Sequence, residues 1–169
     1  IAGVSVDGRP SRWSRRGNTV EIPSPGPAGA EVTSEIEYQG VPTDGLVIRG
    51  TGATRTIFAD NWPDRARHWL ASQDHPADKA SVAWSITAPA GYAVVATGTL
   101  TQVDSSTGGR RWIFVNEEPV PTYTMVLGMA RLATTALLPG GCPTRCVPIS
   151  VVSSPPDSAF AVNGPFRRA

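Results

Sequence analysis

Between Asp60 and Lys79 the chain crowds together Asp60, Asp64, Asp74, Asp78, Arg65, Arg67, Lys79 and both of its histidines, His68 and His75. Carboxylates, imidazoles and guanidinium groups at this density are the raw material of nucleophilic hydrolysis, metal-assisted hydrolysis or charge-steered binding. A serine with His68 or His75 and one of the four aspartates completes a triad on paper. The G-x-S-x-G elbow that would present such a serine is absent. Neither cysteine sits in a setting that would lower its thiol pKa. For a metal, His68, Asp74, His75 and Asp78 are close in sequence but not spaced as a helical histidine pair, and H-E-x-x-H does not occur. The structural reading outweighs both: Asp74 and Asp78 accept backbone N–H groups around a turn at Pro76, with Arg65, Arg67 or Lys79 neutralising them.

Binding needs different residues. Phe58, Trp62, Trp69 and Trp84 could line a peptide or saccharide groove, since amphipathic rings lose little entropy on contact. Trp69 and Trp84 also fall where a sheet core would want large rings. Trp62, before Pro63 in an irregular stretch, is the ring expected to stay exposed. The run Gly50-Thr51-Gly52-Ala53-Thr54-Arg55 resembles the start of a phosphate loop, but Arg55 stands where a third glycine belongs and no helix follows, so a hairpin loop is expected. Cys142 and Cys146, the two cysteines, are too few for a structural zinc site. A disulfide closing GGCPTRCVP and a pair of inert thiols both stay open; the disulfide would favour an extracytoplasmic location.

The elements around these residues read as short strands. Gly and Pro number 17 and 16 in 169 residues, which implies many brief elements joined by turns. Ile1–Asp7 and Thr19–Ile22 read as strands. Ala30–Gln39 alternates with Val32, Ser34, Ile36 and Tyr38 on one face and Glu31, Thr33, Glu35 and Glu37 on the other. Ser81–Ala88, Tyr92–Gly98, Thr99–Val103, Arg110–Val115, Tyr123–Leu132 and Val147–Ser153 follow as strands, with turns at Pro89-Ala90-Gly91 and over 104–109 and a loop over Asn116–Pro121. Pro63–Ala71 is the best helix candidate. Strands recurring about every ten residues predict an all-β antiparallel sandwich or barrel with at most one or two short helices.

Charge and hydropathy narrow the partners. The formal charge is +1 and the basic residues, all arginine except Lys79, are scattered. That predicts no nucleic-acid partner. No apolar run approaches the roughly 18 residues of a membrane span, so no membrane partner is expected either.

One resemblance organises these observations. The run ARHWLASQDHPADKASVAWSITAPAGYAVVATGTL resembles the N-terminal domain of the aminopeptidase N family of zinc metallopeptidases. The family pattern A-R-x-x-F-P-C-x-D-x-P-x-x-K-A-x-F is matched at Ala66, Arg67, Asp74, Pro76, Lys79 and Ala80. Pro89, Gly91, Tyr92 and Gly98 extend the match through the P-x-G-Y turn. The later WIFVNEEPVPTYTMVLGMARLA resembles a second family segment through Trp112, Pro119 or Pro121, Tyr123 and Gly128. Leu70, Ala71 and Ser72 depart from the family's F-P-C, which are packing positions.

The resemblance implies a saddle-like β-sandwich, one domain over 1–169, capping a separate catalytic domain of the same polypeptide. In the family that domain carries H-E-x-x-H and zinc, so zinc is expected there and no cofactor in this chain, which alone is expected to be inactive. The chain is expected to lack the family domain's first strands, leaving an edge that could pair into a dimer. Arg67, Asp74, Pro76 and Lys79 are then a structural motif. Family residues just upstream of the A-R pair face the peptide substrate, often with Gln or Glu near its free amine. Here that stretch is Asn61 and Trp62, the expected substrate-binding pair. The alternative is a free-standing sandwich that binds peptide or glycan through the Trp62 region.

Overall fold

A computed structural model describes residues 1–136 and 149–163. The strands are β1 (Gly3–Val6), β2 (Arg9–Pro10), β3 (Ser14–Arg16), β4 (Thr19–Glu21), β5 (Ser34–Glu37), β6 (Leu46–Arg49) and β7 (Thr56–Ala59) in the first third. They continue as β8 (Lys79–Pro89), β9 (Ala93–Ala96), β10 (Thr99–Ser106), β11 (Gly109–Pro121), β12 (Leu127–Ala130), β13 (Ala133–Ala136) and β14 (Ser150–Ser153). One short helix, α1 (Ser158–Asn163), ends the described chain. Every strand pairing is antiparallel. The protein is an all-β sandwich, as its turn-rich composition predicts.

Two sheets hold the main core. One has the order β10-β11-β8 and the other β6-β7-β12-β9. Alternation along β8 turns Val82, Trp84, Ile86 and Ala88 to one side, and Phe114 and Trp112 of β11 stand opposite Trp84 and Ile86 on that same side. These rings meet Val94 and Ala96 of β9 and Met129 of β12 around the buried trio Ala88, Val94 and Phe114. Truncating a ring such as Phe114 here would cost about 3–5 kcal/mol. The remaining sheets, β2-β1-β5, β3-β4 and β13-β14, are smaller.

The structure corrects several expectations. The strand expected over Ala30–Gln39 shrinks to Ser34–Glu37; Val32 and Tyr38 lie outside it and are exposed. Asn116–Pro121 is not a loop but the far end of β11, where a register irregularity between Asn116 and Val120 accommodates the prolines. Strands β10 and β11 run on to Ser106 and Gly109, so the turn over 104–109 narrows to Thr107-Gly108. Tyr123–Leu132 divides into a 3-10 turn at Thr122–Thr124 and β12. The helix expected over Pro63–Ala71 is a single 3-10 turn, Ala66–His68. The hairpin loop at Gly50–Arg55 is present, built on a 3-10 turn at Gly52–Thr54 between β6 and β7. Cys142 and Cys146 lie outside the described residues.

Candidate functional site

The segment from Asp60 to Asp78 joins β7 to β8 with almost no regular structure. Without a ladder, its backbone and side chains need other hydrogen-bond partners, and a few polar side chains supply them. The first is Asn61, 1% exposed. Its Nδ2 donates to the carbonyls of Thr122 (3.1 Å) and Met125 (2.8 Å), and its Oδ1 accepts the indole N–H of Trp69 at 2.8 Å. Its backbone oxygen accepts from Arg65 N–H at 2.9 Å. Trp69, oriented by that bond, stacks on Trp84 of β8 with centroids 6.1 Å apart and planes 14° from parallel.

The second is Asp74, whose side chain is 4% exposed. One carboxylate oxygen accepts the backbone N–H of Arg67 at 3.0 Å and its Nε at 3.2 Å. The other accepts a short hydrogen bond from the Thr122 hydroxyl. Arg67 Nη2 also donates to the Asp74 carbonyl at 3.1 Å and lies 3.3 Å from Asp64. Burial pushes the Asp74 carboxyl up. The hydrogen bonds from Thr122 and from the Arg67 backbone and side chain, with the guanidinium charge, more than offset that and hold its pKa below the ordinary 3.8. Thr122 therefore serves both anchors: its carbonyl receives Asn61 and its hydroxyl holds Asp74. Lys79 opens β8 opposite Pro121, one residue before this post.

A third set fixes the segment's outer side. Arg65 donates from Nε to the Trp62 carbonyl at 2.7 Å and pairs with Asp60 at 2.7 Å and Asp44 at 3.5 Å. Asp60 N–H donates to the Gly45 carbonyl at 2.8 Å. Gly45 has φ +74°, and a Cβ there would stand 2.1 Å from the Arg65 carbonyl oxygen, so the chain passes too close for any side chain.

These contacts separate the two residues expected to face substrate. Asn61 points inward, its amide bonded on both sides within the domain, so it is a structural anchor rather than an outward-facing group. Trp62, its neighbour, is 64% exposed and meets Tyr123 edge to face, centroids 5.2 Å apart at 89°. The Trp62-Pro63 peptide is cis. Neither Thr122 nor Met125 stands out in the sequence, and Tyr123 does so only through the family resemblance; nothing local marks their contacts, because the partners lie about sixty positions upstream.

His68 and His75 are exposed, and His75 Nδ1 accepts the Ala77 N–H at 3.2 Å while its carbonyl accepts from Asp78 N–H at 3.0 Å, closing the turn at Pro76. Among the described residues no three His, Cys, Asp or Glu side chains come together in a way that could hold a metal ion. What the segment does offer solvent is the Trp62 ring, with the half-buried Tyr123 against its edge.

Comparison with solved structures gives the fold a wider setting. The M1 zinc metallopeptidase of Deinococcus radiodurans superposes with a TM-score of 0.74 at 26% identity, covering 91% of this chain and 37% of that one. A variant of that enzyme solved with a Tyr-Ser-Ala substrate gives 0.79 at 24% identity, covering 99% and 41%. Aminopeptidase A of Legionella pneumophila, solved with aspartic acid, gives 0.77 at 17% identity, covering 94% and 19%. The chain thus spans well under half the length of the proteins it resembles. No family model matches the sequence. No curated protein matches it either.

Proposed function

We propose that this chain, which matches an N-terminal domain of an M1 aminopeptidase, forms one non-catalytic domain over 1–169. In this reading it packs on a separate catalytic domain and helps shape the peptide cleft. The observation that carries the reading is Trp62: an exposed ring held by Tyr123 at its edge, by Arg65 on its carbonyl and by buried Asn61 beside it. A ring so fixed loses little entropy when a substrate arrives. Its face can attract the free ammonium of a peptide N-terminus, an interaction of about 0.5–2 kcal/mol. The described residues offer no group fit to hold zinc, so in this reading the metal and the bond-breaking chemistry belong to the catalytic domain.

The test has two parts. The reading frame encoding this chain should continue into an H-E-x-x-H motif, and the 169-residue chain with added zinc should release no amino acid from aminoacyl amides. In the complete polypeptide, Trp62→Ala should raise KM for short peptides about tenfold, roughly 1.4 kcal/mol, with kcat little changed. Trp62→Phe should recover most of that loss. A frame that ends without the motif, or a KM indifferent to Trp62→Ala, would sink the cleft-shaping reading. The first of these outcomes would leave a free-standing module that binds through the same Trp62–Tyr123 pair.

A further inference from the structure

Away from Trp62, a cleft of about 450 Å³ opens where the β6–β7 connection meets the β8–β9 turn. Its floor is Ile57 and Met129, paired neighbours on β7 and β12, so the cleft exposes the end of the hydrophobic core. The Tyr92 ring forms one wall. Its hydroxyl donates to the Gly52 carbonyl at 2.6 Å and laces the two loops together. Arg55 and Arg131 line it, and no Asp or Glu does. Neither arginine forms an ion pair among the described residues, whereas Arg65, Arg67 and Arg111 all do. The Arg131 guanidinium lies over the turn, where a Cβ built on Gly91 would sit 3.8 Å from its Cζ and Nη2.

We propose that this cleft binds a peptide segment that offers a carboxylate beside an aliphatic side chain. The apolar floor takes the aliphatic group out of water, a gain of about 25 cal/mol for each Å² buried. The two guanidinium groups then meet the carboxylate in the forked geometry that arginine favours. A volume of this size lies within the range of sites that take small ligands, enough for one or two residues. The rim at Ala53 and Ala90 is loop backbone, the surface along which an extended peptide can run. The pairing of charge decides the occupant: two cations with no counter-ion among the described residues, on an apolar floor, favour an acidic partner over a neutral or basic one.

The test is an NMR titration of the isotope-labelled 169-residue chain with the blocked peptide Ac-Leu-Glu-Leu-NH2 and with its Gln counterpart. The Glu peptide should bind at least tenfold tighter, with shifts centred on Ile57, Tyr92, Met129 and the loops at Gly52 and Ala90. Arg55→Ala with Arg131→Ala should abolish the difference between the two peptides. Both arginines are exposed, so the double variant should keep its fold. A second arm does not depend on it: raising salt toward 1 M should weaken the Glu peptide far more than the Gln peptide. Equal affinity for the two peptides, shifts centred elsewhere, or an unchanged preference in the double variant would overturn the proposal.

Discussion

The connection from Asp60 to Asp78 and the hairpin β3–β4 invert the usual association of regular structure with rigidity. The connection has one 3-10 turn and no strand, yet it contains a fully buried amide, an almost fully buried carboxylate and an indole stacked on Trp84 of β8. The hairpin has a complete antiparallel ladder, yet Val20 is its only strand residue that is not exposed. The side-chain ties between its two strands are Ser14 to Glu21 at 3.1 Å and Arg16 to Glu21 at 3.6 Å, with the ion pair 82% and 50% exposed. Stability follows the desolvated contact rather than the secondary-structure label. It also explains how an irregular loop can hold Trp62 in one place.

Breaking the connection should therefore have the largest effect. Asn61→Ala leaves the carbonyls of Thr122 and Met125 and the Trp69 N–H without their partner, each a loss of about 1–3 kcal/mol when buried. A total of about 3 kcal/mol or more is expected, which for a domain of this size lowers Tm by about 10 °C. Thermal unfolding measures it directly. A fall of only a degree or two would mean that water replaces the amide and that the knot is far softer than its burial implies.

Asp74 gives a smaller effect with a pH signature. Arg67 is 37% exposed, so the charge attraction is partly screened; the hydrogen bonds carry most of the interaction, and Asp74→Asn should cost about 2 kcal/mol near neutral pH. The folded pKa lies below the unfolded value of about 3.8. The stabilisation is thus fully present above that value and is lost as pH falls through the folded pKa. Urea midpoints of wild type and Asp74→Asn should differ clearly at pH 7 and converge as pH drops below about 3.8. A difference that persists undiminished in acid would show that Asp74 acts by shape and not by charge.

The same contrast explains what the sequence made legible. Strand β8 was legible over Ser81–Ala88, where the buried sheet face imposes its period of two on Val82, Trp84, Ile86 and Ala88. The prolines of Asn116–Pro121 looked like a loop because each lacks a donor, and only the irregular pairing with β8 lets them stay in a strand. The family motif was visible at Arg67 and Asp74, and these do meet. Trp62 reads as an exposed ring from its place before Pro63, but nothing local shows that its neighbour Asn61 turns inward. Their separation depends on Thr122, Met125 and Tyr123, contacts that close a long loop and leave no periodic trace in either segment. The Arg55–Arg131 cleft was illegible for the same reason: its lining comes from three separate connections and from strands far apart in sequence.

The smallest effect should come from the hairpin. Glu21→Ala removes both side-chain ties of β3–β4, but each lies in water, where an ion pair contributes about 0–1 kcal/mol and a surface substitution rarely exceeds 0.5 kcal/mol. Tm should move by no more than about 2 °C, and added salt should change the difference little. A loss approaching that of Asn61→Ala would mean that the hairpin is covered in solution by another surface, because an exposed carboxylate cannot otherwise matter so much. Glu21 is therefore the control for the whole comparison: it has a hydrogen bond and an opposite charge beside it, but it stays in water where Asp74 is buried.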